Sequence, residues 1–180
     1  MVEHREREFG ELSARAEELL ERPDVRLPHH RPLLRLWHYP SFSHFSSWLV
    51  CLPHARRDER PVVVESVWDR QFDTKRLLEP LEGLKHGFST EPTISNRRGE
   101  LPAEELRARV ASLRRIAVPP FLEDDMIPLD GDTFGVETYA SKAAARLVWW
   151  SERQEEWGPL VSWAEAMRSF LVESLDGLSL

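Results

Sequence analysis

The chain has 180 residues, of which 41% are hydrophobic and 31% are charged, and its formal net charge is −7. This composition excludes a wholly disordered chain, and the length suits a single domain over residues 1–180. No apolar run approaches the roughly 18 residues of a membrane-spanning helix, and the charged N-terminus lacks the apolar stretch of a secretory signal. We therefore expect a cytoplasmic protein without a membrane partner.

The first half of the chain predicts one helix followed by three strands. Apolar residues recur every three or four positions over 3–21, which predicts an amphipathic helix that ends before Pro23. After a proline-rich connector the pattern changes to alternation, which predicts strands over 33–39, 43–52 and 61–68. The connections between these strands are too short for parallel crossovers, so an antiparallel meander is expected.

The rest of the chain predicts three helices and three strands. In chain order these are a helix over 74–84, a strand over 92–99, a helix over 102–117, strands over 133–139 and 144–151, and a helix over 159–176. Helices and hairpins are grouped and do not alternate strictly, which is typical of an α+β fold. We expect one antiparallel sheet of five or six strands, helices packed on one face of it, and a helix at each end of the chain.

One segment of the second half is rich in carboxylates. Six acidic residues and no Lys or Arg fall within fifteen positions: Glu123, Asp124, Asp125, Asp130, Asp132 and Glu137. Such a segment is a solvated turn, a negatively charged surface that attracts a basic protein partner, or a site for a divalent ion. The order of its residues does not match an EF-hand calcium loop. The acidic balance of the whole chain also argues against binding to nucleic acid.

The seven tryptophans supply candidate contact residues for a partner. Adjacent residues on a strand point to opposite faces, so Trp149 and Trp150 cannot both enter the same side of the core. An exposed indole is a favoured anchor at protein interfaces. We therefore predict that Trp150 and Trp157 join the six acidic residues in a partner-binding surface, while most of the other tryptophans fill the core.

Five histidines and the single cysteine lie close together in the sequence, without a pattern that predicts chemistry. They are His29, His30, His38, His44, Cys51 and His54. Their spacing does not match a zinc site, and Cys51 lies in the middle of a predicted strand, as a small buried residue would. His38 and His44 flank the same predicted turn, so they can approach each other. No phosphate-binding or nucleophile motif is found, and we predict no catalytic residue, metal or cofactor.

The last fifty residues carry a resemblance to known proteins. A Leu129-Asp130-Gly131 turn precedes a predicted hairpin whose second strand ends in Trp149-Trp150, and Trp157-Gly158-Pro159-Leu160 opens the last helix. This order resembles uncharacterised bacterial α+β proteins, some of which are immunity proteins that neutralise a toxin. A bacterial origin also fits the excess of 21 Arg over 3 Lys, which is typical of a GC-rich genome.

The sequence therefore predicts a non-enzymatic protein that binds another protein, in the manner of an immunity protein or antitoxin acting on a basic toxin. Complementary charge would speed and orient such an association. Two alternatives remain open. One is a small-ligand-binding or enzymatic domain with a pocket between sheet and helices, lined by Trp and His. The other is a structural subunit of a homo-oligomer.

Overall fold

A computed structural model describes residues 2–41, 43–54, 59–78, 91–119, 131–139, 144–150 and 155–177 of the protein. The helices are α1 (Val2–Glu21), α2 (Arg70–Leu78), α3 (Ala103–Leu113) and α4 (Gly158–Asp176), with a 3₁₀ turn (Glu155–Trp157) before α4. The strands are β1 (His30–Tyr39), β2 (Phe45–Pro53), β3 (Val62–Trp68), β4 (Ile94–Glu100), β5 (Thr133–Tyr139) and β6 (Ala144–Trp150).

The six strands form one antiparallel sheet in the order β4-β3-β2-β1-β5-β6. The first four strands make a meander, and β5 returns to pair with the free side of β1 before β6 completes the hairpin. Strand β1 therefore lies in the interior of the sheet, between β2 and β5. This arrangement, with a helix at each end of the chain, confirms the predicted α+β fold.

The helices cover both faces of the sheet, where the sequence predicted only one. Val63 of β3 packs in the cluster that contains the buried side of α4, whereas Trp68 of the same strand packs against α1. Residues five positions apart on a strand point to opposite faces, which defines an α4 face and an α1 face of the sheet. The reason lies in β3 itself: Val62 and Val64 are as buried as Val63, so neither face of the strand can be left to water.

The larger core lies between the α4 face and α4. The predicted apolar side of this helix is buried as expected, at Leu160, Trp163, Ala164, Met167 and Leu171. Helix α3 joins the same cluster through buried Leu106, and the Trp163 indole Nε1 donates a hydrogen bond of 2.9 Å to the carbonyl oxygen of Arg109. The C-terminal helix therefore stands at a fixed position over the middle of the sheet.

Several element boundaries differ from the predicted ones, and two of the differences have local reasons. Helix α2 begins at Arg70, four residues earlier than predicted, because a side-chain oxygen of Asp69 accepts the backbone N–H of Phe72. The predicted continuation over 79–84 lies outside the described residues. Strand β1 begins three residues early and passes through Pro32, where an irregularity in its pairing with β2 accommodates the missing N–H. No helix within the described ranges has both the length and the apolar character needed to cross a lipid bilayer.

Candidate functional site

A pocket of about 160 Å³ opens between the α4 face of the sheet and helix α4. It lies where the end of β1 runs beside the start of β5 and the end of β6. Its walls are formed mainly by apolar side chains: Leu36, Trp48, Phe134, Trp149, Val161 and Ala164. The polar side chains that line it, His38, Glu165 and Arg168, come from the end of β1 and from α4. The pocket thus has apolar walls and a small set of polar groups.

Three rings stacked across neighbouring strands make one wall of the pocket. The ring centroids of His38 and Phe134 are 4.2 Å apart with their planes 5° from parallel, and those of Phe134 and Trp149 are 6.2 Å apart at 11°. The stack follows from strand register, because Phe134 lies directly opposite His38 on one side and Trp149 on the other. The result is a continuous column of aromatic rings along this wall of the pocket.

The imidazole of His38 connects a carboxylate to a guanidinium. Its Nε2 lies 2.8 Å from Oδ2 of Asp132, and Nη1 of Arg168 lies 3.3 Å from its Nδ1. A guanidinium can only donate, so Nδ1 accepts that hydrogen bond and Nε2–H donates to Asp132. One neutral tautomer satisfies both neighbours. Both ring nitrogens thus form hydrogen bonds, and the bond to Nδ1 helps to hold the Arg168 guanidinium in position.

An open groove continues from the pocket along the same helix. His38 and Arg168 border both spaces, and the groove is further lined by His44 and Ser169. His38 and His44, which flank the same turn, thus line a common groove. His44 has its own carboxylate, since its Nδ1 lies 3.4 Å from Oδ1 of Asp69.

The predicted acidic surface is described at only two of its six positions. Glu123, Asp124, Asp125 and Asp130 lie outside the described residues. Asp132 bonds to His38 beside the pocket. Glu137 lies on the α1 face, where its Oε2 is 3.4 Å from the guanidinium of Arg35 and accepts a hydrogen bond of 3.0 Å from the Tyr139 hydroxyl. These two carboxylates are engaged with different partners at different places.

The two predicted tryptophan anchors also separate. Trp150 is 45% exposed and, by strand alternation, points away from the α4 face, as does its 44% exposed neighbour Val148. Trp157 is only 8% exposed and belongs to the main core, with its ring centroid 6.3 Å from that of Trp149. Its predicted place on a surface is therefore wrong. The cause is the 3₁₀ turn before α4, which folds this indole back against the sheet.

Sequence reasoning missed Arg168, although a signal was present. Ala164, Arg168 and Leu171 are spaced by four and three residues, so Arg168 occupies a position on the apolar side of α4. A cation on the buried side of an amphipathic helix needs a partner or a cavity. No comparable signal marks Phe134, whose role depends on which strands pair.

The described residues define an α+β fold with a six-stranded antiparallel sheet and a pocket lined by aromatic residues beneath the C-terminal helix. No family model, curated protein or solved structure matches the chain. Among the described residues, no three His, Cys, Asp or Glu side chains are grouped closely enough to hold a metal ion. The function of this domain is therefore inferred from the geometry of the pocket.

Proposed function

We propose that the protein binds a small, largely apolar ligand in the pocket between the sheet and α4. One observation carries this proposal: aromatic walls enclose about 160 Å³, and the polar side chains that line them are few. Small-molecule sites in proteins combine these two features. An apolar cavity of about 150 Å³ is large enough to hold a benzene molecule. The volume therefore suits a single ring or a short branched chain.

The polar groups support binding and orientation of a ligand. His38 uses both ring nitrogens to link Asp132 with Arg168, so neither nitrogen is left to take a proton from a bound molecule. Arg168 gives a positive charge that can orient a ligand whose apolar part lies against Phe134 and Trp149.

Filling the pocket tests this proposal. In Ala164→Leu the added methylene groups project into the pocket, because Ala164 is a buried lining residue. We expect single-ring compounds to shift the NMR signals of the unmodified protein in a saturable way and to bind the variant at least about tenfold more weakly. Ala166→Leu, on the exposed side of the same helix, is the matched control and should bind normally. Equal binding by the Ala164→Leu variant would place the ligand elsewhere.

A second function, contact with a basic protein, is supported by a different surface. Val148 and Trp150 stand exposed on the same side of β6, an end strand of the six-stranded sheet in the described part of the chain. The net charge of −7 favours a basic partner, as an antitoxin-like bacterial cytoplasmic protein would need for a basic toxin.

The product of a neighbouring gene offers a direct test of this second function. We expect a basic toxin-like product to bind the protein, Trp150→Ser to weaken binding by about tenfold or more, and added salt to slow association. Leu78→Ser, at an exposed leucine of α2 away from β6, is the matched control. Equal effects of the two substitutions would exclude β6 as the contact surface.

A further inference from the structure

Among the described residues, no carboxylate forms an ion pair with the positive charge beside the pocket. Arg168 is half-buried, and its recorded hydrogen bond goes to the neutral Nδ1 of His38. Within the described ranges, no Asp or Glu oxygen forms an ion pair with its guanidinium. Asp132, the carboxylate of the same cluster, is bonded to the far nitrogen of the His38 ring. The positive charge of Arg168 is thus fixed in place while remaining able to pair with an anion.

The geometry of this cluster keeps the guanidinium in position before any ligand arrives. His38 is held by its stack on Phe134 and by its hydrogen bond to Asp132, and it in turn holds one nitrogen of Arg168. A guanidinium has five N–H donors in a rigid plane, and the bond to His38 occupies one of them. The planar fork of donors matches the two oxygens of a carboxylate.

The neighbouring acidic residue limits the charge that a ligand can carry. Glu165 lies one turn before Arg168 on α4 and lines the same pocket, and it is engaged in an interaction of its own. Its negative charge disfavours a dianion near the pocket. A ligand that pairs with the Arg168 guanidinium is therefore expected to carry no more than one negative charge.

We propose that the pocket binds a small monocarboxylic acid whose ring or branched chain lies between Phe134, Trp149 and Ala164 and whose carboxylate pairs with Arg168. This inference rests on the proposed function of the pocket as a small-ligand site. It adds that the ligand is an anion and that Arg168 selects it. His38 is a positioning residue in this scheme, because it acts on the ligand through Arg168.

Benzoate and benzamide, which share one shape and differ in charge, test the inference by calorimetry on the full chain. We expect benzoate to bind on the order of tenfold more tightly, since a hydrogen-bonded charge pair is worth about that factor. In Arg168→Gln the preference for benzoate over benzamide should vanish. Arg168→Lys should restore part of the preference, because lysine keeps the charge but lacks the planar fork. Arg107→Gln, at an exposed arginine of α3, is the control.

The outcomes separate this inference from the function on which it rests. If both compounds bind equally and Ala164→Leu blocks both, the pocket is a binding site but the selection of an anion by Arg168 is wrong. If Arg168→Gln still binds benzoate more tightly than benzamide, another residue recognises the negative charge and the inference is wrong. If neither compound binds saturably, the small-ligand function and the inference fail together.

Discussion

At the scale of single residues, Trp37 shows how one side chain can depend on the absence of another. Its indole is buried on the α1 face, directly across the strand pair from Gly135, and the guanidinium carbons of Arg35 and Arg146 lie 4.3 Å and 5.1 Å from its ring. The ring occupies the space where a β-carbon at position 135 would stand. Glycine is therefore required at this position by close packing across the sheet.

We predict that Gly135→Ala destabilises the protein by about 1–3 kcal/mol, because the new methyl group must displace a large buried ring. Urea denaturation measures the change. Gly10→Ala is the control: the site lies in α1 with no atom near the added methyl group, so alanine should stabilise the helix by up to about 1 kcal/mol. Equal effects at both sites would show that the Trp37 ring moves freely.

The single cysteine yields a second prediction at this scale. Burial raises the pKa of the Cys51 thiol to about 11, so the reactive thiolate is scarce at neutral pH. We expect a disulfide reagent to modify the folded protein far more slowly than the urea-unfolded chain at pH 7.5, as followed by absorbance. A folded protein that reacts at the rate of the unfolded chain would contradict the buried position of this thiol.

At the scale of elements, one carboxylate of α1 forms ion pairs with two strands of the sheet. Oε1 of Glu21 lies 3.2 Å from the guanidinium of Arg35 and 2.7 Å from that of Arg146. The Arg35 side chain is 0% exposed, and its other recorded ion pair is with Glu137 at 3.4 Å. Glu21 therefore compensates a buried positive charge and also joins the last turn of α1 to β1 and β6.

We predict that Glu21→Gln destabilises the protein by about 1–3 kcal/mol, since Glu137 is then the one carboxylate among the described residues that pairs with Arg35. Glu18→Gln is the matched control on the same helix. It breaks an exposed pair with Arg15, which contributes less than about 1 kcal/mol. Urea denaturation of both variants gives the comparison. A loss as large in Glu18→Gln would mean that the charge of the helix, and not this contact, is what matters.

The elements also show how far sequence alone could predict this molecule. Alternation and helical spacing are local, so the bounds of β5 are predicted to the residue and those of α1 and α4 to within one. The pocket depends on partners far apart in the chain. His38 meets Phe134 because β5 returns to β1, and a strand that is buried on both faces carries no sign of which neighbour it pairs with. The burial of Trp157 is hard to predict for a similar reason, because it depends on how the chain turns before α4.

At the scale of the whole molecule, the two tyrosines on the α1 face make the free energy of unfolding depend on pH in alkaline solution. The chain has no other tyrosine, so a phenolate absorbance signal reports on Tyr39 and Tyr139 alone. Burial raises the pKa of Tyr39 to about 12. The pKa of Tyr139 is raised to about 12 as well. Burial is the largest cause, and the hydrogen bond that its hydroxyl donates to Glu137 is the next. Both residues end strands that lie side by side in the sheet.

These pKa values predict how stability changes in alkaline solution. An unfolded chain loses both phenol protons near pH 10, whereas the folded protein keeps them until about pH 12. The folded state therefore binds more protons than the unfolded state in that window, and its free energy of unfolding falls as the pH rises from about 10 to about 12. Absorbance at 295 nm should show phenolate appearing together with loss of the circular dichroism signal. In the Tyr39→Phe, Tyr139→Phe double variant this part of the decline should disappear. Phenolate that forms near pH 10 in a fully folded protein would instead show that both hydroxyls are open to water.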